Sequence, residues 1–81
     1  MSIYKELVDK FGHEDRKKKC IEELAELIRA IARDDRKNVL EEMIQVLYQI
    51  EMLEVVYGLT EEELVNQGEV EYKRLEVLLD G

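Results

Sequence analysis

Hydrophobic positions recur along this chain at intervals of three and four, the period of a helix rather than a strand. Residues 2–10 (SIYKELVDK) open with a Ser cap and place Ile3 and Leu7, with Val8 beside them, on one stripe, which predicts a short first helix. Phe11-Gly12-His13 should break it, Gly12 acting as a left-handed terminator. A second helix is expected from about Glu14 to Arg33, with Ile21, Leu24, Leu27, Ile28 and Ile31 in helical register. Asp34 and Asp35 offer turn and cap chemistry before a third helix from about Arg36 to Tyr57.

That third helix is the most apolar. Val39, Met43, Val46, Ile50, Leu53 and Tyr57 are spaced 4, 3, 4, 3, 4, and Leu40, Ile44 and Leu47 widen the stripe. One partner helix cannot cover so broad a face, so packing against both its own chain and a second subunit is expected. In its N-terminal half only a narrow polar strip remains: Asn38, Glu41, Glu42, Gln45 and Gln49. Gly58 ends the helix, and Thr60-Glu61-Glu62-Glu63 is a capping box that starts a fourth. Gly68 costs that helix roughly 1 kcal/mol relative to Ala, so a kink or break is expected there. The pattern predicts an all-α fold: a short N-terminal helix plus three longer ones, one domain over residues 1–81, its bundle completed by oligomerisation.

Composition sharpens this picture. With 81 residues the chain is near the lower limit for independent folding, which again favours a homo-oligomer, a dimer or tetramer. Hydrophobic residues at 46%, charged residues at 40%, no Pro and four Gly suit amphipathic helices and argue against a sheet. A net charge of −8 disfavours polymeric nucleic acid. The basic run Arg16-Lys17-Lys18-Lys19 is followed at once by acids and reads either as a solvated helix start or as a local phosphate contact. No apolar run approaches a membrane span, and MSIYKELVDK carries no signal-peptide pattern. The single Cys20 fits a reducing compartment, so a cytoplasmic location is expected. His13, the only histidine, stands in a linker with no nucleophile pattern beside it.

The candidate chemistry lies in two acidic clusters. Glu22, Glu23 and Glu26 fall in IEELAEL on the second helix, and Glu41 and Glu42 in LEEMIQV on the third. Carboxylates three or four apart share a helix face, and two such faces meeting across a hairpin make an oxygen-rich socket for a hard cation. Such acids are also common on solvated helix faces, and Glu26 has Arg29 and Arg33 within reach as ion-pair partners. Two details favour the socket. The spacing recurs on neighbouring helices, and the third helix confines its few polar residues to this strip.

The stretch Ile21-Glu22-Glu23-Leu24-Ala25-Glu26-Leu27, followed by Glu42 in NVLEEMIQVLYQIEMLEVVYGLTEEEL, resembles the MazG-like all-α nucleoside triphosphate pyrophosphohydrolases, short phage and bacterial members in particular. That superfamily carries EExxE on one helix and ExxD on the next. The resemblance implies hydrolysis of an NTP or dNTP to the monophosphate and pyrophosphate, with Mg²⁺ or Mn²⁺ clamping the phosphates. It assigns Glu23, Glu26 and Glu42 as metal ligands and Glu22 as a ligand or a water-orienting base. The nucleotide would be held by Arg16, Lys19, Tyr48, Lys73 and Arg74, with Tyr57 and Tyr72 as further stacking candidates.

The departures bear on activity. Gln45 stands at the superfamily's metal-binding Asp; an amide oxygen can touch Mg²⁺ but carries no charge and is no base near neutral pH. Arg16 stands where short relatives often have Gln, and Glu71 where they often have a basic residue. The expected function is therefore a MazG-like nucleotide-binding protein, weakened in hydrolysis, that binds or sequesters a nucleotide or nucleotide-derived signal. It would need no metal at all if it only binds. The alternatives are an active Mg²⁺-dependent pyrophosphohydrolase and a non-catalytic structural helical dimer.

Overall fold

The structure, a computed structural model, describes residues 2–81, so only Met1 of the expected domain lies outside it. The fold is all-α: α1 (Ile3–Phe11), α2 (His13–Ala32), α3 (Arg36–Val56) and α4 (Glu61–Asp80). Each boundary has a local cause. The Ser2 hydroxyl accepts from the Lys5 N–H at the start of α1. The Asp35 carboxylate accepts from the Asn38 N–H at the start of α3, and Thr60 and Glu63 form the reciprocal capping box of α4.

Three local expectations are corrected. Gly12 alone separates α1 from α2, so His13 is the exposed first residue of α2 rather than part of a linker. The conformation of Gly12 is φ 90°, ψ 159°, a region open only to glycine and distinct from the left-handed helical well. Finally, α4 runs unbroken through Gly68. With no neighbour within 4 Å of a Cβ built there, nothing bends the helix, and its propensity cost is carried without a kink.

The three-residue connection Arg33–Asp35 joins α2 and α3 as an antiparallel hairpin, the main packing unit of the chain. The inward residues are Cys20, Glu23 and Ala30 on α2, and Val46, Gln49, Met52 and Val56 on α3. Most of the large Ile and Leu side chains of the two helices turn away from this seam. One position later lie Ile21, Leu24, Ile28 and Ile31 on α2, and Leu40, Met43, Leu47 and Ile50 on α3, all exposed. Each step turns about 100° round a helix. In an antiparallel pair, equal sequence offsets turn both helices toward the same side. The hairpin therefore has one broad apolar face. One position before the inward set come Lys19, Glu22, Glu26 and Arg29 with Asn38, Glu41, Gln45 and Tyr48, which make the opposite face polar.

At the open end of the hairpin, α1 packs Val8, Leu7 and Tyr4 against Met52, Val55 and Val56. Among the described residues, α4 packs against none of the other helices and every one of its residues is exposed. The Cα radius of gyration is 15.2 Å, against about 12 Å for a compact chain of this length.

Candidate functional site

Glu23 is the most buried acid of the hairpin, at 9% exposure, because it occupies an inward position of α2 between Cys20 and Ala30. Its charge is partly met from its own helix: Lys19 Nζ lies 3.1 Å from Glu23 Oε1, one turn away. Contact with Glu23 in turn raises the Lys19 pKa. Across the hairpin Glu42 faces Glu23. Its Oε2 is buried and has no hydrogen-bond partner. Burial first, then hydrogen-bonding contact with Glu23 and the charges of Glu23, Glu26 and Glu41, raise the Glu42 pKa above its ordinary value.

The other expected ligands stand further out. Glu26 is exposed and paired with Arg29 on its own helix. Glu22 is exposed on α2, beside Lys19 but outside both concavities of this face. Gln45 lies a turn beyond Glu42 and faces a different concavity from Glu26 and Glu42. Among the described residues, no three acidic, Cys or His side chains converge as a ready-made metal cage. The donors nonetheless fit a hard cation in a particular way. Mg²⁺ is ordinarily held by one or two carboxylates, with water and substrate phosphates completing its octahedron. Glu23 and Glu42 match that donor set in number and type, and the Glu42 Oε2 has no partner.

Two concavities flank this pair on the polar face. Toward the α2–α3 turn, about 240 Å³ is enclosed by Glu26, Arg29, Arg33, Asn38 and Glu42, with Ala30 at its base. Toward α1, about 290 Å³ is enclosed by Ile3, Tyr4 and Leu7 of α1, Arg16 of α2, and Gln45, Tyr48, Gln49 and Met52 of α3. Arg16 is held there by stacking over Phe11, 4.6 Å from the ring centre, and by donating to Asp15, with Nε–Oδ2 at 3.0 Å. A larger concavity of about 510 Å³ belongs to the Leu59–Val70 segment and carries none of this chemistry.

The structure thus brings Arg16 and Tyr48 together in one cavity and Glu23 and Glu42 together in another arrangement beside it. It leaves Lys73 and Arg74 on α4, away from the hairpin within one chain, with Arg74 Nη1 3.0 Å from Glu71 Oε1. Tyr57 is capped by Lys17 Nζ at 5.5 Å from its ring centre, and Tyr72 is exposed on α4. Sequence reasoning did not single out Arg29, Arg33, Asn38, Tyr4 or Gln49 as site residues. Gln49 left a usable signal. It is polar, buried and in inward register with Val46 and Val56 of the most apolar helix, and leaving its amide oxygen unpartnered costs about 1–3 kcal/mol.

Among the described residues the fold is thus a strandless helical hairpin that sets two facing acidic side chains, Glu23 and Glu42, beside cavities lined by arginines. A family model described as phosphoribosyl-ATP pyrophosphohydrolase matches residues 3–70, and the chain belongs to that family. The family lies within the MazG-like all-α NTP pyrophosphohydrolase superfamily and carries a pyrophosphohydrolase-type, nucleotide-related function. Neither the curated proteins nor the solved structures yielded a match to the chain. Among the described residues no helix is long and apolar enough to cross a membrane.

Proposed function

We propose that this chain is a nucleotide-binding member of its family, weakened in hydrolysis, that holds a nucleotide or nucleotide-derived signal on the polar face of the α2–α3 hairpin. The observation that carries the reading is the pairing of buried Glu23 with half-buried Glu42, which lines the cavity shared with Arg29 and Arg33 and whose shielded Oε2 has no partner. Carboxylates of this kind attract a cation, and guanidinium groups beside them attract the phosphates that accompany it. Bound Mg²⁺ or Mn²⁺ would neutralise phosphate charge and polarise the phosphoryl oxygens.

Hydrolysis also needs a group to orient or deprotonate water. Gln45 stands at the position where the superfamily resemblance implies an acid, and an amide cannot take a proton near neutral pH. Lys19 diverts part of the charge of Glu23, and Arg29 part of that of Glu26. The site is thereby better matched to holding an anionic ligand than to activating water. The buried free thiol of Cys20 suits a reducing, cytoplasmic setting. The family's name directs attention to adenine nucleotides carrying extra phosphate.

An active pyrophosphohydrolase is the second reading, favoured by the presence of Glu22, Glu23, Glu26 and Glu42 on or beside one face. Mass spectrometry of the protein incubated with a nucleotide library and Mg²⁺ separates the two. The binder retains an intact nucleotide through gel filtration. Rapid release of monophosphate and pyrophosphate supports the enzyme instead, and no retention or turnover of any nucleotide leaves only a structural role.

A further inference from the structure

The two concavities and the acidic pair lie in a row along the same face. On α3, Asn38 lines the cavity near the turn, Glu42 forms the acidic pair, and Gln45 and Gln49 line the cavity near α1. Glu42 and Gln49 are seven positions apart, on the order of 10 Å along the axis. A ribose with one or two phosphates spans such a gap. The two ends differ in chemistry. The turn end offers Arg29 and Arg33; the α1 end offers Tyr4, Tyr48, Leu7 and Met52 as walls, with Arg16 at the side.

The decisive residue is Gln49. It is only 8% exposed, lines the α1-side cavity, and its Oε1 is buried without any hydrogen-bond partner. A carboxamide offers an acceptor and two N–H donors in one plane, the complement of a nucleobase edge. A flat heterocycle between aromatic and apolar walls, read along its edge by an amide, is how proteins hold an unstacked base. The volume of about 290 Å³ is at the small end for ligand cavities and suits one base, not two.

We propose that the α1-side cavity is the base subsite, with Gln49 reading the edge of the ring, so that a mononucleotide lies along α3 with its base toward α1 and its phosphates toward the α2–α3 turn. This rests on the nucleotide reading of the acidic pair. Gln49 is a specificity residue in this arrangement, and Tyr48 a wall of the subsite.

The test measures dissociation constants for ATP, GTP, CTP, UTP and tripolyphosphate, each with Mg²⁺, on the wild type, Gln49→Met, Tyr48→Ala and Arg29→Ala. The wild type is expected to prefer at least one nucleoside triphosphate over tripolyphosphate. Gln49→Met should cut that preference about tenfold or more, leave tripolyphosphate binding unchanged, and not lower the melting temperature of the ligand-free protein. Tyr48→Ala should act in the same direction, while Arg29→Ala should weaken tripolyphosphate and nucleotides alike. A nucleotide preference that survives both Gln49→Met and Tyr48→Ala overturns the base subsite and leaves the nucleotide reading standing. Equal loss of tripolyphosphate and nucleotide binding in Gln49→Met overturns it too, because the residue is then structural. Failure of the wild type to bind any of the five ligands overturns both.

Discussion

Burial and three neighbouring carboxylates oppose ionisation of Glu42, so the ligand-free protein holds its proton more tightly than the unfolded chain does. The sign of the pH dependence follows. Below the ordinary glutamate value of about 4.3, both states are protonated and Glu42 contributes nothing. As pH rises through that value toward the higher folded pKa, the unfolded state ionises first, and stability is lost. Glu42→Gln should remove this loss, so that the metal-free variant melts higher than the wild type near neutral pH and no higher in acid. The same substitution should abolish the stabilisation that Mg²⁺ with a nucleotide confers on the wild type. Thermal melts across pH, with and without ligand, check both effects. A variant that melts lower at every pH would mean that the folded protein stabilises the Glu42 carboxylate instead of opposing its charge. Reading the sequence alone reached Glu23 and Glu42 because acidic spacing survives as a pattern. It gave no role to Gln49, since hydrogen-bond satisfaction is a property of packing and not of spacing.

At the level of elements, caps were the most legible feature. Asp35, Thr60 and Glu63 bond as their sequence positions imply, because capping is decided within four residues. Gly68 shows where local reasoning stops. Propensity penalises it, but nothing in α4 competes with helix, so the helix continues. Gly68→Ala should therefore raise the helicity of α4 and stabilise it by about 0.8–1 kcal/mol, read as increased mean residue ellipticity and slower amide exchange in residues 61–80. Destabilisation would indicate that another surface approaches the glycine closely. Helical period located α2 and α3 but did not tell which stripe faces inward. The broad stripes of Ile and Leu are exposed, while Cys20, Ala30, Val46, Met52, Val56 and the polar Glu23 and Gln49 fill the seam. A hydrophobicity count weights Cys, Ala, Glu and Gln below Ile and Leu, so it points to the wrong stripe.

The whole molecule exposes 6725 Å², whereas a compact monomer of 9.6 kDa exposes about 5,100 Å². The excess is about twice the roughly 800 Å² that each partner buries in a standard interface. Its sources are the apolar face of the hairpin and the unpartnered α4, and isolated helices of that length are marginal in water. We expect a homo-oligomer, dimer or tetramer, seated on the face that carries Ile28 and Leu47. Ile28→Glu with Leu47→Glu should shift sedimentation to the monomer and lower the melting temperature, and wild-type protein that sediments as a monomer at all concentrations would contradict this. Self-association through the apolar face would leave the polar face open, so that a ligand and a second subunit would not compete.

On the proposed reading, the site holds a nucleotide but hydrolyses it poorly because position 45 carries an amide instead of an acid. Single-turnover pyrophosphate release, with protein in excess over a Mg²⁺-nucleotide that it retains, tests this most directly when wild type and Gln45→Asp are compared. The expected result is that the wild type keeps the nucleotide intact over a time course in which Gln45→Asp releases pyrophosphate. Release by the wild type as fast as by Gln45→Asp would contradict it.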